Sequence, residues 1–270
     1  MTIVTAQMSV SMDGYYAGPE HSGAQPWFEG PEAAGFFRVT RWVIDAEAWR
    51  QRLGFAGGEQ STNSKVIAET FDAAGAYVMG RRMADGGEVP WGDEPPFRAP
   101  VFVVTHRPRK TLHRQGGTSF TYVTDGIESA IGQARAAANG KNVAIAGGGT
   151  LLRQVIGLGL LDELELHVVP VILGDGMRLL GPGLGLDDME AIELTPARVI
   201  ATPDVTGVLP ADRDMRHHGP AFRRRQPGQD KEARDWHNHD RPCGSGRRLR
   251  SGERAARPGL CYRAQAGAGR

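Results

Sequence analysis

Three short segments of this sequence combine groups that could bind the phosphates of a nucleotide. The first is Gly147 to Thr150, three glycines and a threonine between an apolar strand and an amphipathic helix. Glycine lets a phosphate approach the main chain, and a helix N-terminus, here with Thr150 as a possible cap, attracts anions. The run matches neither G-x-G-x-x-G nor the P-loop, so a tight strand-to-helix turn stays open as the alternative.

Basic residues follow two other short apolar strands. Gly80-Arg81-Arg82 follows one, and Thr105-His106-Arg107 follows the next. Guanidinium groups suit phosphates, although a solvated arginine pair and a structural histidine are the alternatives. Because open α/β sheets bind ligands beyond the carboxyl ends of their strands, the three segments together favour a nucleotide with several phosphates.

The elements that would position these segments alternate along the chain. Apolar periodicity predicts strands at 3–10, 76–79, 101–104, 122–123 and 197–201, helices at 33–53, 61–74 and 127–138, and a strand-helix-strand unit at 143–171. Asp125 could cap the third helix. This alternation predicts an α/β fold with a mainly parallel sheet and helices on its faces.

The composition hides a charge asymmetry. The 270 residues have a net charge of +1, but residues 213–270 contain 15 Lys and Arg against 6 Asp and Glu. This tail lacks apolar periodicity, so we predict that 207–270 is disordered. A metal site at its histidines or nucleic-acid binding through its arginines are minor alternatives.

The cysteines and the N-terminus predict the cellular location. Both cysteines, Cys243 and Cys261, lie in the tail, so we expect a fold without disulfides or thiolate metal ligands, in a reducing cytoplasm. No segment reaches the apolar length of a membrane span, and the N-terminus lacks the pattern of a signal peptide. We therefore expect a cytoplasmic protein without a metal site.

Five stretches of the sequence form a recognisable set. They are SVSMDGYYAGP (Ser9 to Pro19), YVMGRRM (Tyr77 to Met83), PVFVVTHRPR (Pro100 to Arg109), the stretch from Phe120 to Gln154, and LLDELELHVVPVILGDGMRLL (Leu160 to Leu180). Together they resemble the dihydrofolate reductase-like superfamily, and specifically the group related to the C-terminal reductase domain of the bifunctional riboflavin-biosynthesis protein. The resemblance extends over residues 3 to about 206.

This resemblance implies a twisted, mostly parallel sheet, an antiparallel C-terminal hairpin, frequent homodimers and NADPH as cofactor. It implies hydride transfer to a small heterocycle, as in 5-amino-6-(5-phosphoribosylamino)uracil reductase. The cofactor-binding positions that it implies are Gly80, Arg81, Arg82, Thr105, His106, Arg107, Gly147, Gly148, Gly149, Thr150 and Leu151.

Two positions depart from the riboflavin-pathway pattern. Gln7 stands where those reductases have a lysine, and Ala146 stands where they have a glutamate before the glycine run. The polar groups that hold a phosphoribosyl substrate are therefore partly absent. No clear counterpart exists for the acidic residue of dihydrofolate reductases, although Glu47 and Glu69 lie on predicted helices.

On the substrate side we expect Asp13, with Trp27 and Trp91 from the two proline-rich loops, although Asp13 could instead form a turn. The predicted function is an NADPH-dependent reductase of a pterin- or aminopyrimidine-like substrate. A nucleotide-binding protein without turnover is the first alternative, and a nucleic-acid binder is the second.

The C-terminal end of the resemblance predicts the domain boundary. We expect a reductase domain at 1–206 and a basic tail at 207–270. The family's last strand should follow Thr206, but the sequence continues as GVLPADRDM. An altered reading frame would explain the change, and it would expose a sheet edge.

Overall fold

The computed structural model describes residues 2–19, 31–181 and 195–211 of the chain. These ranges contain the helices α1 (Pro31–Ile44), α2 (Glu47–Arg52), α3 (Thr62–Ala73), α4 (Arg81–Gly87), α5 (Ile127–Ala137) and α6 (Gly149–Gly157). Their strands are β1 (Val4–Ser11), β2 (Tyr15–Ala17), β3 (Ala74–Gly80), β4 (Pro100–Val104), β5 (Leu112–His113), β6 (Ser119–Val123), β7 (Asn142–Gly147), β8 (Glu163–Val169), β9 (Met177–Arg178), β10 (Thr195–Ala201) and β11 (Thr206–Ala211).

Nine of these strands form one sheet in the order β10-β11-β8-β1-β7-β3-β4-β6-β5. The six central strands, from β8 to β6, are parallel to one another. β11 and β10 at one end and β5 at the other are antiparallel, and β2 pairs with β9 separately. The predicted α/β fold with a mostly parallel sheet is confirmed.

Helices cover both faces of the sheet because successive side chains of each central strand point to opposite faces. Ala76 and Val78 of β3 join a core cluster with residues of α5 and α6, whereas Tyr77 and Met79 face a second cluster on the other side. Near the β8 end, α1 and α3 cover the same face as that second cluster, with Val39 and Ile67 in a third cluster. The period of two in the strands therefore sets the two-sided packing.

Aromatic rings dominate the second cluster. The ring of Trp91 lies 4.9 Å from that of Phe97 and 6.3 Å from that of Phe120, between ring centroids. Trp91 is 8% exposed, and a Cβ atom on Gly87 would overlap its ring. The close approach of α4 thus requires glycine at 87, and Trp91 anchors the proline-rich loop in the core.

A buried polar cluster lies between β1, β8 and the helices α1 and α3. The Gln7 amide donates hydrogen bonds to Glu165 (2.6 Å) and Thr70 (2.7 Å), and the His167 ring packs against Trp42 with centroids 4.5 Å apart. Burial raises the pKa of Glu165 and lowers the pKa of His167 to about 4. His167 Nε2 lies 3.8 Å from Glu165 Oε1, too far for a hydrogen bond, so burial of the His167 ring is not offset by a hydrogen bond to Glu165.

Two local predictions were wrong for identifiable reasons. The predicted helix at 33–53 is two helices, because Ala46 is extended (φ −69°, ψ 136°) and forms a parallel bridge with Glu59. Asp125 does not cap α5, because the N-cap residue is Gly126. The Asp125 carboxylate instead accepts a hydrogen bond from the Ser129 hydroxyl. In the first case a contact distant in sequence overrides local helical composition.

The C-terminal strand extends past the predicted boundary at residue 206. β11 runs to Ala211 between β10 and β8, with Gly207 opposite His167. The segment GVLPA therefore forms a strand at the position where the sequence predicted that the last strand is missing. The predicted disorder of the tail concerns residues that, from 212 onward, lie outside the described ranges. Among the helices described, none is both long and apolar enough to cross a membrane.

Trp91 should contribute mainly to stability. We expect Trp91→Ala to lower the free energy of unfolding by about 3 to 5 kcal/mol, because it removes a buried ring from the second cluster. Chemical denaturation measures this change. Val89→Ala is the matched control in the same loop, since Val89 is 87% exposed, and it should change stability by less than about 0.5 kcal/mol. Equal effects of the two substitutions would contradict this role.

His167 should make stability depend on pH. Its folded pKa of about 4 lies below the ordinary value of 6.5, so between these values the unfolded chain binds a proton that the folded chain does not. Stability is therefore full above pH 6.5 and falls as the pH is lowered. From pH 7 to pH 5, wild type should lose about 2 kcal/mol more than His167→Phe.

Urea denaturation at the two pH values measures this difference. The raised pKa of Glu165 acts in the opposite direction, but Glu165 is retained in both proteins and its effect cancels in the comparison. Equal losses in wild type and variant would show that His167 titrates normally in the folded protein.

Candidate functional site

A cavity of about 400 Å³ lies at the carboxyl ends of β1, β7, β3 and β4. Two of its walls are the glycine run with the start of α6 (146–151) and the start of α4 (80–83). The other described wall residues come from β1, β2, α1, β4, β9 and the second turn of α6: Met8, Tyr16, Ala17, Phe36, Val104, Met177 and Gln154. The volume is typical of small-molecule sites.

The glycine run forms the turn between β7 and α6. Gly147 has a positive φ of +117°, which favours glycine, the peptide bond that joins it to Gly148 is cis, and Gly148 is the N-cap of α6. A Cβ atom on Gly148 would meet nothing within 4 Å, and one on Gly80 would lie 3.9 Å from Gly148 N. The protein's own packing thus leaves open space at both residues, where a ligand can approach the main chain.

The start of α6 can hold an anion without a side-chain cap. The helix spans nine residues, and no side chain accepts a hydrogen bond at its N-cap. Thr150 is not the predicted cap, because it lies inside the helix and its hydroxyl accepts a hydrogen bond from Arg153. The main-chain N–H groups of the first turn face the end where the helix dipole is positive.

The two arginines after β3 have different surroundings. Arg81 donates to Asp85 (2.6 Å) and to the Arg107 carbonyl (3.4 Å), and its guanidinium lies 5.3 Å from the centre of the Tyr122 ring. Arg82 is exposed on the cavity wall. Arg81 therefore joins two strand ends, and Arg82 lines the cavity.

The segment after β4 lies beside the cavity and does not line it. Thr105 is buried, and its hydroxyl accepts a hydrogen bond from the Arg107 main-chain N–H (3.1 Å). His106 and Arg107 are exposed. The Arg81 contact to the Arg107 carbonyl keeps this turn next to the start of α4. The structure thus brings together all three segments that the sequence singled out.

Asp13 lies outside the cavity wall and has a structural role. Its carboxylate accepts hydrogen bonds from the Ser11 hydroxyl (2.6 Å) and from the main-chain N–H groups of Leu173 (3.2 Å) and Gly174 (2.7 Å). These hydrogen bonds lower the pKa of Asp13 to about 2, and the bond from Ser11 has the largest effect. Asp13 ties the turn after β1 to the segment after β8, as the turn interpretation proposed.

The other expected substrate contacts also differ from the sequence analysis. Trp91 does not line the cavity, because its ring is buried in the second cluster, and Trp27 lies outside the described residues. Glu47 accepts a hydrogen bond from Gln60, and Glu69 pairs with Arg198. Within the described part of the wall there is no Asp, Glu, His or Lys.

Several wall residues were not predicted from the sequence. Met8, Tyr16, Phe36 and Met177 come from β1, β2, α1 and β9, which are separated along the chain. Tyr16 and Met177 lie within stretches that carry the resemblance, which implied no role for either residue. Gln7 departs from the family pattern, but it does not line the cavity; its side chain lies in the polar cluster with Glu165.

Comparisons with known proteins support the fold. The structure is similar to that of a riboflavin biosynthesis protein from Shewanella sp. PV-4, with a TM-score of 0.55 and 16% identity over 78% of this chain and 98% of that one. The deaminase and 5-amino-6-(5-phosphoribosylamino)uracil reductase of Thermotoga maritima has a TM-score of 0.44 and 12% identity over 78% of this chain and 56% of that one.

A pyrimidine reductase-like protein from Corynebacterium diphtheriae has a TM-score of 0.40 and 15% identity over 78% of this chain and 91% of that one. No curated protein sequence matches the chain. The family model of the RibD C-terminal domain matches residues 2–203, which span the open glycine turn, both arginines and the whole cavity wall. The chain therefore belongs to the RibD C-terminal domain family.

Proposed function

We propose that this protein is an NADPH-dependent reductase that transfers a hydride to a small pterin- or aminopyrimidine-like heterocycle. The observation that carries the proposal is the open space at Gly148, at the N-terminus of α6 and beside the exposed Arg82. Membership of the RibD C-terminal domain family supports the reductase activity.

The residues present fit the diphosphate of a dinucleotide. The first turn of α6 offers free N–H donors, Gly148 and Gly80 leave room for the phosphates, and Arg82 supplies a positive charge. A Cβ atom on Gly148 would fill the space that a diphosphate needs. When bound, the cofactor supplies the hydride, and these residues bind and orient it.

Preference for NADPH over NADH requires positive charge near the 2′-phosphate. His106 and Arg107 are exposed beside the cavity. The Arg107 main chain holds the turn in place, because its carbonyl accepts a hydrogen bond from Arg81 and its N–H donates one to the Thr105 hydroxyl. Arg107 offers the planar fork of donors that suits a phosphate. We assign this turn to the 2′-phosphate.

A nucleotide-binding protein without turnover is the second candidate. The observation that favours it is the lack of an acidic, histidine or lysine side chain among the described wall residues, which leaves few groups that could supply a proton. Turnover separates the two candidates, because only the reductase oxidises NADPH when an acceptor is present.

The proposal is tested by titrating the protein with NADPH. Binding should quench tryptophan fluorescence and raise the melting temperature, since a ligand that binds only the folded state stabilises it. A panel of pterins and aminouracils is then tested as hydride acceptors, and NADPH oxidation is followed by the loss of absorbance of the dihydronicotinamide ring. Neither quenching nor a thermal shift would refute the cofactor assignment.

Gly148→Ala should weaken NADPH binding without weakening the fold. The new methyl group meets no protein atom within 4 Å, so the melting temperature of the ligand-free protein should stay the same or rise slightly. The dissociation constant for NADPH should rise by about tenfold or more, because the methyl group occupies the diphosphate space. Isothermal titration calorimetry measures it.

Gly132→Ala is the matched control for that substitution. Gly132 lies on α5, also with nothing within 4 Å of its Cβ position, and it is not part of the cavity wall. Its NADPH affinity should equal that of wild type. If both variants bind NADPH equally well, the glycine run is only a turn.

Arg107→Ala should lower the preference for NADPH over NADH. Loss of one charged contact to the 2′-phosphate should raise the dissociation constant for NADPH about tenfold and leave that for NADH within about twofold. Fluorescence titration with both nucleotides measures the ratio. Arg41→Ala removes the same charge from the exposed surface of α1 and should change neither constant.

A further inference from the structure

The cavity has two chemically different ends. Arg81 and Arg82, the glycine run and the N-terminus of α6 lie along the ends of β3 and β7. On the other side of β7 in the sheet, β1 contributes Met8, and the neighbouring elements contribute Ala17, Phe36 and Met177. The groups that suit phosphates therefore lie at the ends of β3 and β7, and the apolar groups lie beside them, at β1 and its neighbouring elements.

Close main-chain contacts fix the wall at the apolar end. A Cβ atom on Gly35 of α1 would lie 2.5 Å from Gly18 N, just after β2, and one on Gly176 would overlap the Ala17 carbonyl. On the third side, a Cβ atom on Gly149 would lie 2.6 Å from the Tyr16 ring. Because β2 is held between α1, α6 and the residue before β9, this wall is formed before any ligand binds.

Two basic side chains that adjoin wall residues in the sequence are already engaged. Arg178 stacks on the Tyr15 ring at 4.5 Å and donates to the Asp13 carbonyl, and Arg153 donates to the carbonyls of Arg178 and Leu179. Neither lines the cavity. Apart from Arg81, Arg82 and Thr150, the polar side chains on the described wall are Tyr16 and the exposed Gln154.

We propose that the hydride acceptor is an uncharged, planar ring that carries neither a phosphate nor a carboxylate group. At the apolar end, an anionic substituent would lose its hydration without gaining a counter-ion from the described wall residues, whereas an uncharged ring gains contacts with methionine and aromatic side chains. Ala146, directly before the glycine run, adds no polar group to the described wall. The inference rests on the proposed function, since it concerns the acceptor of the same reductase.

The test compares pterin with pterin-6-carboxylate, which differ by one carboxylate. Isothermal titration calorimetry on the NADP⁺-saturated full-length protein at pH 7 should give an affinity for pterin at least about tenfold higher than for pterin-6-carboxylate. Gln154→Lys places a cation on the wall at an exposed position. It should raise the affinity for pterin-6-carboxylate about tenfold and leave that for pterin within about twofold.

Gln133→Lys, on the exposed surface of α5, makes the same charge change away from the cavity and should alter neither affinity. Equal or tighter binding of pterin-6-carboxylate by wild type, no binding of pterin, or no gain in Gln154→Lys would each overturn the inference. Absence of NADP⁺ binding would instead remove the proposed function on which it rests, so the two failures are distinguishable.

Discussion

The parallel pairing of β7 between β1 and β3 is the constraint on which the rest of the site depends. Ala6 pairs with Ile145, and Ile145 pairs with Val78, so the three strands end at the same edge of the sheet. Their following segments must then meet there, although they are far apart in sequence. The cavity is therefore a consequence of strand direction, as in other open α/β sheets.

Glycines serve two different purposes around this cavity. Gly35, Gly149 and Gly176 are required by the protein itself, because a Cβ atom on any of them would press against β2 or the residue that follows it. Gly148 has no such requirement, since nothing lies within 4 Å of its Cβ position. The first group builds a rigid wall, and Gly148 leaves the space that a ligand's phosphates can use.

The sequence predicted the strand-end residues because each follows an apolar strand, and local polarity reports where a strand ends. It did not predict the apolar wall, since Met8, Phe36 and Met177 come from segments without a common motif. It placed Asp13 and Trp91 at the substrate side, but Asp13 is held by Leu173 and Gly174, and Trp91 by Phe97 and Phe120. Those partners could not be inferred from neighbouring residues.

The sequence by itself determined the alternation of strands and helices, the parallel sheet and the family, because periodicity and short motifs are local properties of the chain. Only the tertiary structure decided what each polar residue faces. Gln7 belongs with Glu165 in a buried cluster, and GVLPA forms a strand beside His167. The physical reason is that a side chain's partners depend on strand order and helix packing, which are set by contacts between residues distant in sequence.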